Sequence, residues 1–253
     1  MVPLFLVIED MKFGLIGYPI SHSLSPQLWA EAFPGLEHTY DLIQEQDFSK
    51  AFERFLAEYD AVNVTMPFKE LAYFASRPAD EEVRAIKAVN ILKKRDGEVV
   101  GYNSDYLAVR SLISDAVKDP AAARVMIIGA GGAARAAAVA ACSLGCKVAM
   151  ANRSHENCLS FVRHTTYNRQ PLDIEVFELQ DAAPAVNDSD VLIYAIPSPV
   201  PQTEGWNLCG KAVIEANYLD ACLCEKTAVE KGMYISGKEW LRRQAEFGYK
   251  LFF

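Results

Sequence analysis

From Arg124 onward the chain alternates short apolar runs with helix-type segments, and the first junction of that series constrains the fold more than any other feature. The run VMIIG (125–129) is followed by Gly129-Ala130-Gly131-Gly132-Ala133-Ala134, which opens an alanine-rich helix over 133–144. A first glycine permits the tight turn, a second lets backbone approach a pyrophosphate, and a small third position lets helix and strand pack closely. The pyrophosphate would sit on the helix N-terminus. The alternative for the same residues is a tight strand-to-helix turn with no ligand.

The series continues through KVAMANR (147–153), a helix near 156–164, DIEVFEL (173–179), SDVLIYAI (189–196), KAVIEANY (211–218), a helix near 225–231, MYIS (233–236) and a final helix over 238–250. Pro197, Pro199 and Pro201 mark a loop. Upstream, KFGLIG (12–17), SPQLWAEAF (25–33), HTYDLI (38–43), DFSKAFERFLAEY (47–59) and AVNVT (61–65) keep the same rhythm, with Ser25 read as a helix cap before Pro26. After a polar turn, NILKKR (90–95) and EVVGYN (98–103) flank the hairpin dipeptide Asp96-Gly97. A helix over 106–117, ending before Asp119-Pro120, reads as the connector out of a first domain. Such alternation predicts an α/β protein with mainly parallel sheets.

Composition narrows the classes of partner. The 253 residues carry 25 Lys+Arg against 33 Asp+Glu, a formal charge of −8. That balance argues against a nucleic-acid partner. No apolar run reaches the ~18 residues of a membrane span, and MVPLFLVIED is closed by two acids instead of opened by a basic run. The expectation is a cytoplasmic protein with no membrane partner. Met11 directly precedes the first strand-type run, so residues 1–10 read as an upstream extension or expression remnant. Six cysteines form no CxxC pair and have no nearby His at zinc spacing, which predicts reduced, mostly buried thiols and no metal.

The strand after the glycine loop bears on the cofactor. An NAD site usually ends it with Asp or Glu for the ribose 2′-OH, whereas here it ends in Asn152-Arg153-Ser154. Arginine offers a planar, permanent charge to a 2′-phosphate, so NADP is preferred. Without the glycine loop, Arg153 would read as a solvated strand-end residue.

Three segments of the first half add chemistry. Gly17-Tyr18-Pro19-Ile20-Ser21-His22-Ser23-Leu24-Ser25-Pro26 places two hydroxyls two residues apart at a helix start, suited to a carboxylate; alone it reads as an ordinary helix cap. Asn63-Val64-Thr65-Met66-Pro67-Phe68-Lys69 sets an amide, a hydroxyl and a lysine at a strand exit, and Asn103-Ser104-Asp105 closes the hairpin. Taken singly, these are a solvated lysine and a turn.

In this order and spacing, GYPISHSLSP, NVTMPFK, AVNI, GYNSD and GAGGAAR resemble the shikimate dehydrogenase family over nearly the whole chain after residue 11. The resemblance implies an α/β substrate domain (11–105 plus 238–253), a Rossmann-like NADP domain (106–237), a cleft between them, and reversible reduction of 3-dehydroshikimate to shikimate in chorismate biosynthesis. Carried over by position, Ser23 and Ser25 would hold the substrate carboxylate, and Thr65, Asn90 and Asp105 the ring hydroxyls. Lys69 and Asp105 match the catalytic pair. Tyr218 and Gln244 fall where the family approaches the substrate. Gly129, Ala130, Gly131, Gly132, Ala133, Asn152, Arg153 and Ser154 would hold NADP. A monomer and a homodimer are equally compatible with these residues.

The chain departs from the family pattern at several points. Asn157 stands where a second arginine is common, Tyr194-Ala195-Ile196-Pro197 replaces an Asn-Ala-Thr loop, Gly237-Lys238-Glu239-Trp240 replaces a glycine-rich helix entry, and Tyr106 follows Asp105 where glycine is common. These departures keep two alternatives open: a quinate/shikimate or related polyol-acid dehydrogenase using NAD or NADP, and a non-catalytic nucleotide-binding regulatory module. Divided into residues 1–105 plus 238–253 and residues 106–237, the chain is acidic in both parts, at −5 and −3, so capture of an anionic ligand has to be local.

Overall fold

A computed structural model describes residues 11–36 and 39–253; the reading of residues 1–10 lies outside them. The chain forms two compact units, the described part of Met1–Ser104 with Gly248–Phe253, and Asp105–Phe247.

In the first unit the elements run β1 (Phe13–Gly17), α1 (Ser25–Ala32), β2 (Tyr40–Gln44), α2 (Phe48–Glu58), β3 (Ala61–Val64), α3 (Lys69–Phe74), β4 (Arg77–Pro78), α4 (Glu81–Ile86), β5 (Ile91–Arg95) and β6 (Glu98–Tyr102). They build one six-stranded sheet in the order β2-β1-β3-β5-β6-β4, in which β5 alone runs against the rest. Asp96 (φ 53°) and Gly97 (φ 81°) both take the left-handed conformation that a two-residue hairpin turn requires. Asp47 caps α2 by accepting from Ser49 N at 2.8 Å, and the helix buries Ala51 and Phe55. The polar turn expected after Lys69 holds two six-residue helices, too short to show a period; Asp80, accepting from Val83 N, was the legible start of the second.

The last residues of the chain belong to this unit for an aromatic reason. Phe252 stacks on Phe13 with centroids 5.1 Å apart, and Tyr249 meets Trp29 edge-on at 5.3 Å. Phe13, Trp29 and Phe252 are fully buried, each contributing about 1.5–3 kcal/mol of apolar burial.

The second unit begins in α5 (Ser104–Ala116) and continues through β7 (Arg124–Ile128), α6 (Gly132–Ser143), β8 (Lys147–Asn152), α7 (His155–Arg163), the small hairpin β9 (Thr166–Tyr167) and β10 (Gln170–Pro171), β11 (Ile174–Glu178), α8 (Ala183–Asp188), β12 (Val191–Tyr194), β13 (Ala212–Glu215), α9 (Cys224–Val229), β14 (Met233–Ile235) and α10 (Gly237–Phe252). Its sheet is wholly parallel, in the order β11-β8-β7-β12-β13-β14. Numbered within the unit this is 3-2-1-4-5-6, with the order reversing between β7 and β12. The alanines of α6 are buried without a gap from Ala136 to Ala141, which brings the helix close to the sheet. The proline loop ends in a 3-10 turn, Pro201–Gly205, where another βα unit would carry a helix.

Residues 238–247 pack within this unit, because Arg243 reaches Ser111 and Asp115 of α5. Of the six cysteines, all unpaired, Cys146 and Cys158 are buried, Cys142 and Cys222 half-buried, and Cys209 and Cys224 exposed, so fewer are buried than expected. No helix among the described residues is long and apolar enough to cross a membrane, and no group of His, Cys, Asp or Glu among them is arranged to hold a metal.

Candidate active site

In the first unit the exits of β1 and β3 lie side by side. Thr65 N donates to Ile16 O at 2.8 Å and Tyr18 N to Met66 O at 3.2 Å. The approach is close enough that a Cβ on Gly17 would sit 2.4 Å from Thr65 Cγ2. This pairing presents the loop carrying Ser23 and Ser25 beside the loop carrying Thr65 and Lys69.

The helix behind the serines starts one residue earlier than expected. Leu24 is its cap, without a side-chain bond, and Ser25 and Pro26 are its first residues. Ser23 does the capping work instead, because its Oγ accepts from Ser25 N and lies 3.2 Å from Ser25 Oγ. Ser25 also bonds the Tyr40 phenol, which donates to Asn63 Oδ1 at 2.8 Å. Burial pushes the Tyr40 phenol well above its ordinary value and the Ser25 contact lowers it, so Tyr40 stays a neutral donor. Nothing local marks the Asn63 amide as a partner for Tyr40, which reads in the sequence as one more strand aromatic.

Thr65 and Lys69 are half-buried, Lys69 as the first residue of α3. Asn90 is buried, and both ends of its amide meet Ser104: Nδ2 donates to Ser104 Oγ at 3.0 Å and Oδ1 accepts from Ser104 N at 2.8 Å. Its side chain thereby caps α5, a structural duty that the expected hydroxyl-binding role did not include.

In the second unit, Asp105 lies buried in the first turn of α5 and accepts from Trp240 Nε1 at 3.1 Å. Tyr218 is half-buried after β13, and Gln244 is half-buried one turn beyond Trp240 on α10. The segment bearing Tyr218 is anchored by Glu215, a fully buried carboxylate that accepts from Cys222 N (2.6 Å), Leu223 N (3.2 Å) and Tyr234 OH (2.8 Å). Burial, with Glu215 next to it, pushes the Cys222 thiol up to about 11. The one sequence signal for Glu215 is an acid ending an apolar strand.

At the carboxyl end of β7, Gly129 has φ +130° and its N–H donates to Ala151 O at 2.8 Å. A Cβ there would meet Ala195 O at 3.0 Å, whereas nothing lies within 4 Å of one on Gly131. The first glycine is required by the turn, and the second leaves open space at the cap of a twelve-residue helix. Ala130 is buried, and Gly132 and Ala133 are half-buried. Arg135 Nε donates to Ala130 O at 3.0 Å and steadies the loop. At the end of β8, Asn152 is half-buried and bonds Ser154 O, while Arg153 and Ser154 are exposed. Arg153 is near enough to Tyr194 for its charge to act on that phenol.

A separate cavity of about 500 Å³ opens at the amino ends of β7, β12, β13 and β14, away from the glycine loop. Lys211, in its wall, is committed to Asn187 O (2.8 Å) and Ser189 O (2.5 Å).

Comparison with known proteins matches residues 15–92 to the shikimate dehydrogenase substrate binding domain and residues 111–207 to shikimate / quinate 5-dehydrogenase. A shikimate dehydrogenase of Thermotoga petrophila is 41% identical over 152 residues, covering 58% of this chain and 56% of the relative. The match therefore spans little more than half the length of that relative. Among solved structures, a Thermus thermophilus shikimate 5-dehydrogenase in complex with NADP(H) and shikimate superposes with a TM-score of 0.78 at 24% identity, covering 96% of this chain and 93% of the other. A quinate dehydrogenase from Corynebacterium glutamicum in complex with NAD reaches 0.81 at 18% identity, with 96% and 93% covered. At such identities the structural likeness speaks for the fold.

Proposed function

Since this chain belongs to the shikimate dehydrogenase family, we propose that it catalyses the reversible NADP-dependent reduction of 3-dehydroshikimate to shikimate. The observation that carries the reading is the open Gly131 at the cap of α6, where the strand order reverses. A pyrophosphate fits such a place, because backbone N–H groups and the helix dipole favour an anion there. Gly129, Ala130, Gly131, Gly132 and Ala133 would form the cradle, and Asn152, Arg153 and Ser154 would take the adenosine 2′-phosphate. When bound, NADP supplies and takes back the hydride.

The remaining roles belong to side chains of this chain. Ser23 and Ser25 hold the substrate carboxylate, while Thr65, Asn90 and Asp105 bind ring hydroxyls, with Tyr218 and Gln244 completing the site. Reduction of the ketone builds negative charge on its oxygen, and Lys69 supplies both a proton and a positive charge to it. Asp105 orients that ammonium and shares the hydroxyl hydrogen bond. In the reverse direction Lys69 takes the proton back. Substrate binding falls mainly to 11–105 plus 238–253, of which 238–247 pack in the second unit, and NADP binding to 106–237. The enzyme works in the cytoplasm as a monomer or homodimer, without nucleic-acid or membrane partners.

One observation favours a second reading, a quinate/shikimate or related polyol-acid dehydrogenase using NAD: Arg153 is exposed, and Asn157 rather than a second cation follows it. An absorbance assay at 340 nm with shikimate and quinate, each with NADP and NAD, separates the readings. Turnover of shikimate with NADP is expected, and Lys69→Ala should lower kcat by ~10²-fold or more. Preference for quinate with NAD would promote the second reading. Absence of turnover in all four combinations would leave a regulatory nucleotide-binding module.

A further inference from the structure

Asp105 and Trp240 are 135 positions apart, so no local turn brings them together; the packing of α10 does. Both side chains are buried, at 5% and 3% exposure. Gly237, at the start of α10, is pressed against the backbone of Ala216 and Asn217, where a Cβ would sit 2.6 Å from Asn217 O. One turn beyond Trp240, Arg243 Nη1 donates to Ser111 Oγ at 2.6 Å and to Asp115 Oδ2 at 2.5 Å. Contacts on either side of Trp240 therefore set its place, and its indole N–H is delivered to Asp105 Oδ1 at 3.1 Å.

The chemistry of this donor is specific. An indole N–H donates and never accepts, so it pairs with a carboxylate oxygen without bringing a competing charge. A buried carboxylate oxygen needs such a donor. A lysine or arginine at position 240 would instead form its own ion pair with Asp105 and compete with the ammonium that Asp105 has to orient.

We propose that Trp240 is a positioning residue, whose indole N–H holds the Asp105 carboxylate in the orientation it needs to act with Lys69. This rests on the shikimate dehydrogenase reading above. Misplacement of a reacting group by about 1 Å costs up to ~10²-fold in rate, so loss of one orienting bond should cost about tenfold.

Trp240→Phe keeps the aromatic bulk and removes the donor. Its kcat should fall about tenfold, with KM for shikimate and NADP changed less than about twofold. In an Asp105→Ala background the same substitution should change kcat less than about twofold, since the residue through which it acts is gone. If Asp105→Ala fails to fold, Asp105→Asn serves for the cycle and the effect should shrink. Independently of turnover, the chain has three tryptophans, and the ¹⁵N indole resonance lost in Trp240→Phe should move in either Asp105 variant. An unmoved resonance overturns the proposal. An equal fall in kcat in both backgrounds also overturns it and assigns Trp240 to packing. A wild type inactive on every polyol acid, with the resonance still responding, overturns the functional reading and the positioning role together while the hydrogen bond stands.

Discussion

The hydroxyl oxygens of Ser23 and Ser25 lie 3.2 Å apart, and Ser23 Oγ also accepts from Ser25 N. Two donors so close suit the two oxygens of one carboxylate. A hydrogen bond to a charged group contributes about 1.5–3 kcal/mol, so Ser23→Ala or Ser25→Ala should raise the KM for shikimate by ~10–100-fold. The KM for NADP should not move. Equal changes in both constants, measured by steady-state kinetics, would remove the pair from substrate binding.

Gly129 and Gly131 should respond oppositely to a methyl group. At Gly129, φ is +130° and Ala195 O stands 3.0 Å from the added Cβ, so Gly129→Ala should lower thermal stability even without coenzyme. Gly131 has φ −76° and open space. Gly131→Ala should leave the Tm of the apoprotein within about 1 °C, on the scale of a surface change, and weaken NADP binding in a calorimetric titration.

Arg153→Ala should raise the KM for NADP and leave that for NAD nearly unchanged. The guanidinium is exposed at the end of β8, so its loss costs the fold little. Equal effects on the two coenzymes would refute a 2′-phosphate role.

Glu230 offers a test by pH. Its Oε2 accepts from Leu208 N at 2.5 Å and its Oε1 pairs with Lys226 at 3.0 Å. The Leu208 N–H, with Lys226 second to it, holds the carboxyl below its usual range. A carboxyl lowered by folding contributes stability above its unfolded value, near ~4.3, and loses it as pH falls through the folded value. Glu230→Gln should lower Tm by about 2–4 °C at pH 7, the shift ~1 kcal/mol produces at this size. Near pH 3 the difference should vanish.

The legible parts of the fold were those written locally. The run VMIIG and its glycines announced β7 and α6, Asp96-Gly97 announced the β5–β6 hairpin, and Asp47 announced α2. Short elements escaped: α3 and α4 have six residues each, fewer than two turns, so no period develops in their side chains. The cap of α1 moved by one residue because the Ser23 side chain, rather than Ser25, met the first free N–H. At the candidate site, Ser23, Ser25, Thr65 and Lys69 stand out in the sequence through their motifs. Tyr40 and Glu215 do not, because nothing local marks a strand tyrosine or a strand-end acid as a hydrogen-bonding centre.

By itself the sequence determined the alternation of elements, the glycine turn and the order of the chemical motifs, since each depends on spacing along a few residues. The tertiary structure decided that Phe252 stacks on Phe13, that Asn90 caps α5 through Ser104, and that Trp240 delivers its N–H to Asp105. Such contacts join residues far apart in the chain. Burying an aromatic ring or satisfying a buried carboxylate is settled by which surfaces meet in three dimensions, and a one-dimensional pattern does not carry that information.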